Sequence, residues 1–218
     1  MRLLFLSSAG GHNNRIIGFL IKDWYGEGKI GYIPSSPDPY GQIFQETKDW
    51  FCRQDPKREL KYLDIFDKSV RWWPDRLDEF SGFFINGGNA SILHLGLQRS
   101  GMGQSLIQIA KDTEKPILGV DEGGMALTPE MGPTLKDVTR HEEGLHVVDF
   151  GFWPHYETSS SKSVDQFAAK SHLPDVYAVT DASGLKVEGN MITPIGHVYH
   201  FVQGRRDLER FTPAEVKG

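Results

Sequence analysis

The sequence predicts a three-layer α/β sandwich with a mostly parallel central sheet. The prediction rests on short apolar runs that end in glycine or proline turns, helical patterns between those runs, and two glycine-rich turns at apparent strand ends. The first run, Arg2 to Ser7, reads as a buried strand leading into Ala9-Gly10-Gly11. A helix is expected next, capped by Asn13 or Asn14, with Ile16, Ile17, Leu20 and Ile21 on its apolar face. Lys29 to Pro34 forms a second strand, Tyr40 to Cys52 a helical stretch and Leu60 to Phe66 a third strand.

The alternation continues through Gly82 to Asn86 as a strand, the turn Gly87-Gly88-Asn89, and a helix from Ala90 or Ser91 that breaks at Gly101. Beyond the break, Met102, Leu106, Ile109 and Ala110 share one face of an amphipathic helix. Pro116 to Val120 is the next strand. Alternating strands and helices of this length imply a parallel sheet covered on both faces, with ligands at the carboxyl ends of its strands. After about Leu145 the pattern turns strand-rich: Leu145 to Phe150, Val176 to Val179, Leu185 to Val187 and His197 to Phe201 are strand candidates, expected to form an edge of the same sheet. No linker or repeat divides the 218 residues, so a single domain over 1–218 is expected.

Composition narrows the functional classes. With 39% apolar and 24% charged residues the chain has the make-up of an ordinary globular protein, not of a disordered one. No apolar run approaches the roughly 18 residues needed to cross a bilayer, and Met1 to Ser8 is too short for a signal sequence, so a cytoplasmic location and no membrane partner are expected. A formal charge of −5 gives no general attraction to nucleic acid, and the pairs Lys57-Arg58 and Arg205-Arg206 read as solvated surface. The single cysteine, Cys52, excludes an internal disulfide and reads as an inert thiol beside Trp50 and Phe51.

Three segments carry chemistry. In Pro116 to Ala126, PILGVDEGGMA, a buried strand runs through a glycine-rich turn into a helix, the form of a nucleophile elbow with Asp121 at its tip. Asp121 and Glu122 read also as an N-cap and a first-turn acid. In Ile85 to Ser91, consecutive glycines at a strand end present backbone N–H groups of the kind an oxyanion hole needs. In Phe152-Trp-Pro-His155-Tyr156, a histidine follows a strand and suits acid–base work at neutral pH, although it is one of eight. The hydroxyl run Thr158 to Ser161 reads as a mobile loop rather than a substitute nucleophile.

The order of these segments, followed by Val176-Tyr-Ala-Val-Thr-Asp181, resembles the peptidase E family of aspartyl dipeptidases, relatives of the cyanophycinases, over nearly the whole chain. The resemblance implies a class I glutamine amidotransferase-like fold and serine-type hydrolysis of Asp-X dipeptides. The family turn reads Gly-x-Ser-Ala-Gly. Here Asp121 stands at the serine and Glu122 at the alanine. The resemblance makes His155 the base, Asp181 the acid that orients it, Gly88 and the backbone N–H of Glu122 the oxyanion donors, and Gly87 and Asn89 part of a substrate pocket. It implies a small-molecule or dipeptide-like ligand, leaves a homodimer open, and calls for no cofactor and no metal.

Asp121 cannot act as a serine does. A carboxylate, with a reference pKa of about 3.9, is already ionised at neutral pH and attacks amides poorly. Loss of the nucleophile from a comparable triad costs on the order of a millionfold in turnover. The residues leave three readings: a hydrolase in which Asp121 attacks an activated electrophile or serves as base for water, a non-catalytic protein that holds a small cationic ligand, and a metal site of His155 with Asp121, Glu122 or Asp181.

Overall fold

A computed structural model describes residues 1–8, 21–25, 27–54, 57–132, 142–170, 173–202 and 205–206. The N-terminal half supplies strands β1 (Arg2–Leu6), β2 (Lys29–Ile33), β3 (Glu59–Tyr62), β4 (Phe80–Ile85) and β5 (Ile117–Val120). Between them lie helices α1 (Gln42–Gln54), α2 (Ala90–Ser100) and α3 (Met102–Asp112). The short helix α4 (Glu122–Met125) follows β5 directly. The C-terminal part adds β6 (Glu130–Met131), β7 (Glu142–Glu143), β8 (Gly151–Trp153), helix α5 (Ser161–Lys170), and strands β9 (Asp175–Val179), β10 (Gly184–Glu188), β11 (Met191–Ile195), β12 (Val198–Val202) and β13 (Arg205–Arg206).

The central sheet runs β11-β10-β1-β5-β4-β2-β3, parallel from β1 to β3 and antiparallel at β10 and β11. Period-two alternation sends successive side chains of its buried strands to opposite faces. Thus Leu3 and Phe5 join one apolar cluster with Leu93 and Leu97 of α2 and Leu106 of α3, while Leu4 and Leu6 join another with Trp24, Tyr25 and Phe51 of α1. Helices therefore cover both faces, as the three-layer expectation requires.

Most elements fall within a few residues of expectation. Gly101 ends α2 at φ 79°, a left-handed conformation that glycine adopts without penalty. Met102, Leu106, Ile109 and Ala110 are all buried, as their shared face demands. The expected helix face at Ile16, Ile17 and Leu20, with its caps Asn13 and Asn14, lies outside the described residues.

Four expectations need correction. The C-terminal third is not one edge of the central sheet: β10 and β11 join it, but β8, β9, β12 and β13 form a separate four-stranded sheet. Leu145 to Phe150 is not a strand. The N–H groups of Leu145 and Val147 bond back to the carbonyls of Ala126 and Leu127, and pairing starts only at Gly151. The serine run is a 3-10 turn, Thr158–Ser160, leading into α5 at Ser161 rather than a mobile loop, because Val164, Phe167 and Ala168 bury one helical face on the second sheet. Strand β3 stops at Tyr62, since the Asp64 carboxylate then accepts the N–H groups of Phe66 and Asp67 and closes a turn.

The second sheet docks on the central one through aromatic rings. Phe152 of β8 and Phe150 stand 5.3 and 5.4 Å from Phe5 of β1, centroid to centroid. That contact brings the carboxyl ends of β8 and β9 toward those of β1 and β5.

Candidate functional site

Strand β5 is buried along its whole length, and the chain leaves it through a sharp turn. Asp121 has φ 53° and ψ −121°, a backbone state that costs a non-glycine residue of order 1–3 kcal/mol. The surroundings hold it there. Its N–H donates to Leu6 O at 2.8 Å, and its carbonyl accepts from Gly124 at 2.9 Å and Met125 at 3.1 Å. A Cβ on Gly123 would lie 2.3 Å from the Ile85 carbonyl oxygen, and one on Gly119 would lie 2.5 Å from the Gly123 carbonyl oxygen, so the turn closes only with glycine at both.

His155 and Asp181 each stand two residues past the ends of the parallel neighbours β8 and β9, which is why they meet. His155 Nδ1 lies 2.5 Å from Asp181 Oδ1, and Nε2 lies 3.4 Å from Asp121 Oδ1. His155 also has a positive φ, 52°, and its N–H donates to Ser7 Oγ at 2.8 Å. With a carboxylate at each ring nitrogen the imidazolium is favoured. The Asp121 carboxylate raises the His155 pKa most, burial opposes it, Asp181 adds, and the result is about 9.

Glu122 turns back over the same turn. Its Oε2 accepts the Gly88 N–H at 2.7 Å, and its carboxylate is also stabilised by its own backbone N–H. These are the two donors that the family resemblance assigns to an oxyanion, and a side-chain carboxyl occupies both. Burial is the main cause that raises the Glu122 pKa, followed by the hydrogen bond and charge of Asp121; the two N–H groups act the other way, and the value reaches about 7. At neutral pH the carboxyl is therefore divided between a protonated form, which donates toward Asp121, and an ionised one.

The Gly87-Gly88 peptide is fixed from behind. Ser35 Oγ donates to Gly87 O at 2.5 Å, and Gly88 takes φ 153°, where a Cβ would fall 2.3 Å from Ser35 Oγ. Gly87 leaves room for the acid at the tip, since a Cβ there would sit 2.6 Å from Asp121 Cβ. Asn89 uses its side chain to cap α2, accepting the Ile92 N–H at 3.0 Å.

Asp121, Glu122, His155, Asp181, Gly87 and Gly88 are thus brought together, and Asn89 starts the adjoining helix. Sequence reasoning missed Ser7 and Ser35, and it weighed Glu122 as a first-turn acid, a backbone donor and a metal ligand but not as the carboxyl that fills the Gly88 N–H. Ser7 is fully buried and lies 3.4 Å from Asp181 Oδ1. A hydroxyl at the end of a buried strand was the available signal, but nothing in the sequence says which loop lies opposite. Among the described residues no group of three His, Cys, Asp or Glu side chains is arranged to hold a metal ion, and no helix is long and apolar enough to cross a membrane.

Fold and site together define an α/β protein with a strained strand–turn–helix tip at the carboxyl ends of its central strands. The family model for peptidase family S51 matches residues 3–195, and the chain belongs to that family. No curated protein matches it significantly. Among solved structures, it is similar to a peptidase from an acI-B1 actinobacterium, with a TM-score of 0.72 and 13% identity over 98% of this chain and 95% of that one. It is also similar to a protein provisionally described as a peptidase E from Listeria monocytogenes EGD-e, with a TM-score of 0.64 and 17% identity over 88% of this chain and 96% of that one. At these identities the likeness speaks for the fold.

Proposed function

We propose that this member of the peptidase family is a hydrolase in which the Asp121 carboxylate is the attacking group, and that serine-type cleavage of Asp-X dipeptides is lost. The observation that carries this reading is the carboxylate of Asp121 at the strained turn between β5 and α4, 3.4 Å from a histidine that Asp181 holds from its far side. Enzymes use carboxylate nucleophiles on substrates whose leaving group is better than an amine. The test is hydrolysis of an activated ester such as p-nitrophenyl acetate beside that of an Asp-X dipeptide. The ester is expected to turn over, Asp121→Asn to lose on the order of a hundredfold or more of that rate, and the dipeptide to stay intact. Equal ester rates in wild type and Asp121→Asn would overturn the reading.

A second reading is favoured by one observation, the Glu122 carboxyl on the Gly88 N–H. A developing oxyanion would be repelled there, whereas an amino group would be attracted to Asp121 and Glu122, so the cleft would bind a small amine without turnover. Saturable binding of a simple amine, weakened by Asp121→Asn and without ester turnover, would select it.

A further inference from the structure

The site is ill suited to attack on amides and ordinary esters, whose leaving groups are poor, and better suited to displacement at saturated carbon. Attack of a carboxylate on an amide or ordinary ester makes an anhydride, which expels the carboxylate again more readily than the amine or alkoxide. It also places negative charge on an acyl oxygen, and both N–H groups that would receive that charge already hold Glu122. Attack on a saturated carbon needs neither. The carboxylate becomes a stable alkyl ester, and the charge moves to the leaving group.

The charge of the cleft and the placing of its acid narrow the substrate. Asp121 and Asp181 flank one histidine and the Glu122 carboxyl lies against Asp121, so an anionic electrophile such as a phosphate ester is repelled. The group beside the Asp121 carboxylate is a carboxyl acid, suited to a leaving oxygen that must take up a proton. An uncharged three-membered cyclic ether fits both conditions, because ring strain drives the attack and the leaving oxygen departs as an alkoxide.

We propose that the site opens epoxides through a covalent ester of Asp121, with Glu122 as the acid and His155, oriented by Asp181, as the base for water. The inference rests on the reading of Asp121 as the attacking group. An Asp121 oxygen forms a bond to an epoxide carbon, the ring C–O bond breaks, and its electron pair takes the Glu122 proton. This leaves a hydroxyalkyl ester and a Glu122 carboxylate. Esterification removes the Asp121 charge that most holds the proton on His155, so the ring releases it to solvent, while Glu122, which burial still favours as the acid, takes one up from solvent. Water then adds to the Asp121 carbonyl carbon as neutral His155 takes its proton, and the Glu122 O–H donates to the oxygen that becomes negative. Collapse breaks the bond to the alkyl oxygen, which takes the proton from His155 and departs as a diol. The carboxylic acid left on Asp121 returns its proton to His155. The sum is epoxide plus water giving diol.

The test uses styrene oxide with intact-protein and peptide mass spectrometry. His155→Gln is expected to accumulate one probe mass on the peptide containing Asp121, and Asp121→Asn to accumulate none. Wild-type protein in a single turnover in ¹⁸O-water is expected to incorporate label into Asp121 and to release a diol free of it, which keeps the test independent of the folding of either variant. Ester hydrolysis that depends on Asp121, with no adduct and no diol, would overturn the epoxide inference and leave the carboxylate reading standing. Ester rates that ignore Asp121, with no adduct, would remove both. Label carried by the diol instead of Asp121 would mean direct attack by water and would also overturn the covalent step.

Discussion

At Glu122 the fold holds a carboxyl group in its neutral form more readily than an unfolded chain would, and stability must register this. A pKa raised to about 7 from 4.5 means the native state binds the proton more tightly, so the contribution is fully present below 4.5 and disappears as pH rises through 7. His155 behaves in the same direction over a higher window: raised from 6.5 to about 9, it stabilises the native state below 6.5 and ceases to do so as pH rises through 9. Thermal melts are therefore expected to show a midpoint that falls between pH 5 and pH 9. Glu122→Gln should flatten the acidic half of that fall and raise stability at pH 8 by on the order of 2 kcal/mol, a figure lowered for partial exposure. A midpoint that is level across this range in wild type would contradict the arrangement of Asp121, Glu122 and His155.

The turn between β5 and α4 depends on two adjacent glycines for unlike reasons. A Cβ on Gly123 would meet only backbone, at 2.3 Å from Ile85 O, 2.8 Å from Ile85 C and 3.0 Å from Asn86 O. A Cβ on Gly124 would meet mainly a side chain, the Phe152 ring at 3.0 and 3.1 Å, with the Gly119 carbonyl oxygen further off at 3.3 Å. Gly123→Ala is expected to destabilise by about 3 kcal/mol and to separate β4 from the turn, and Gly124→Ala to cost less than half as much; urea denaturation of the two variants checks the order. The turn was legible in the sequence because strand, glycines and helix follow one another without a gap. The partner of its carboxylates was legible only through Pro154-His155. The filling of the Gly88 N–H by Glu122 was not, because a side chain's direction across a turn depends on φ 53° at Asp121, and no residue type announces that value. Ser7 and Ser35 were hidden for a related reason: each acts on a loop more than fifty positions away.

Across the whole molecule, the site exists because two sheets meet. The turns that follow β1, β4 and β5 supply Ser7, Gly88 and Asp121, those that follow β8 and β9 of the second sheet supply His155 and Asp181, and Phe152 packs on Phe5 where the sheets meet. The parallel sheet was readable from its alternating runs and helices. The second sheet was not separable from it, since short strands carry no mark of the sheet they join. Phe152 is fully buried, and Phe152→Ala is expected to cost about 3–5 kcal/mol. If the chain unfolds as one unit, calorimetry of this variant will show a single transition at lower temperature; two transitions, with only the second sheet loosened, would divide the chain into independent bodies.

The Asp121 peptide is secured by Leu6, Gly124 and Met125 through main-chain atoms, and the space around the turn is kept by glycines. None of these main-chain hydrogen bonds consults the side chain at the tip. Reactivity and architecture are thus written at separate positions, and the scaffold can exchange one chemistry for another without relearning how to fold.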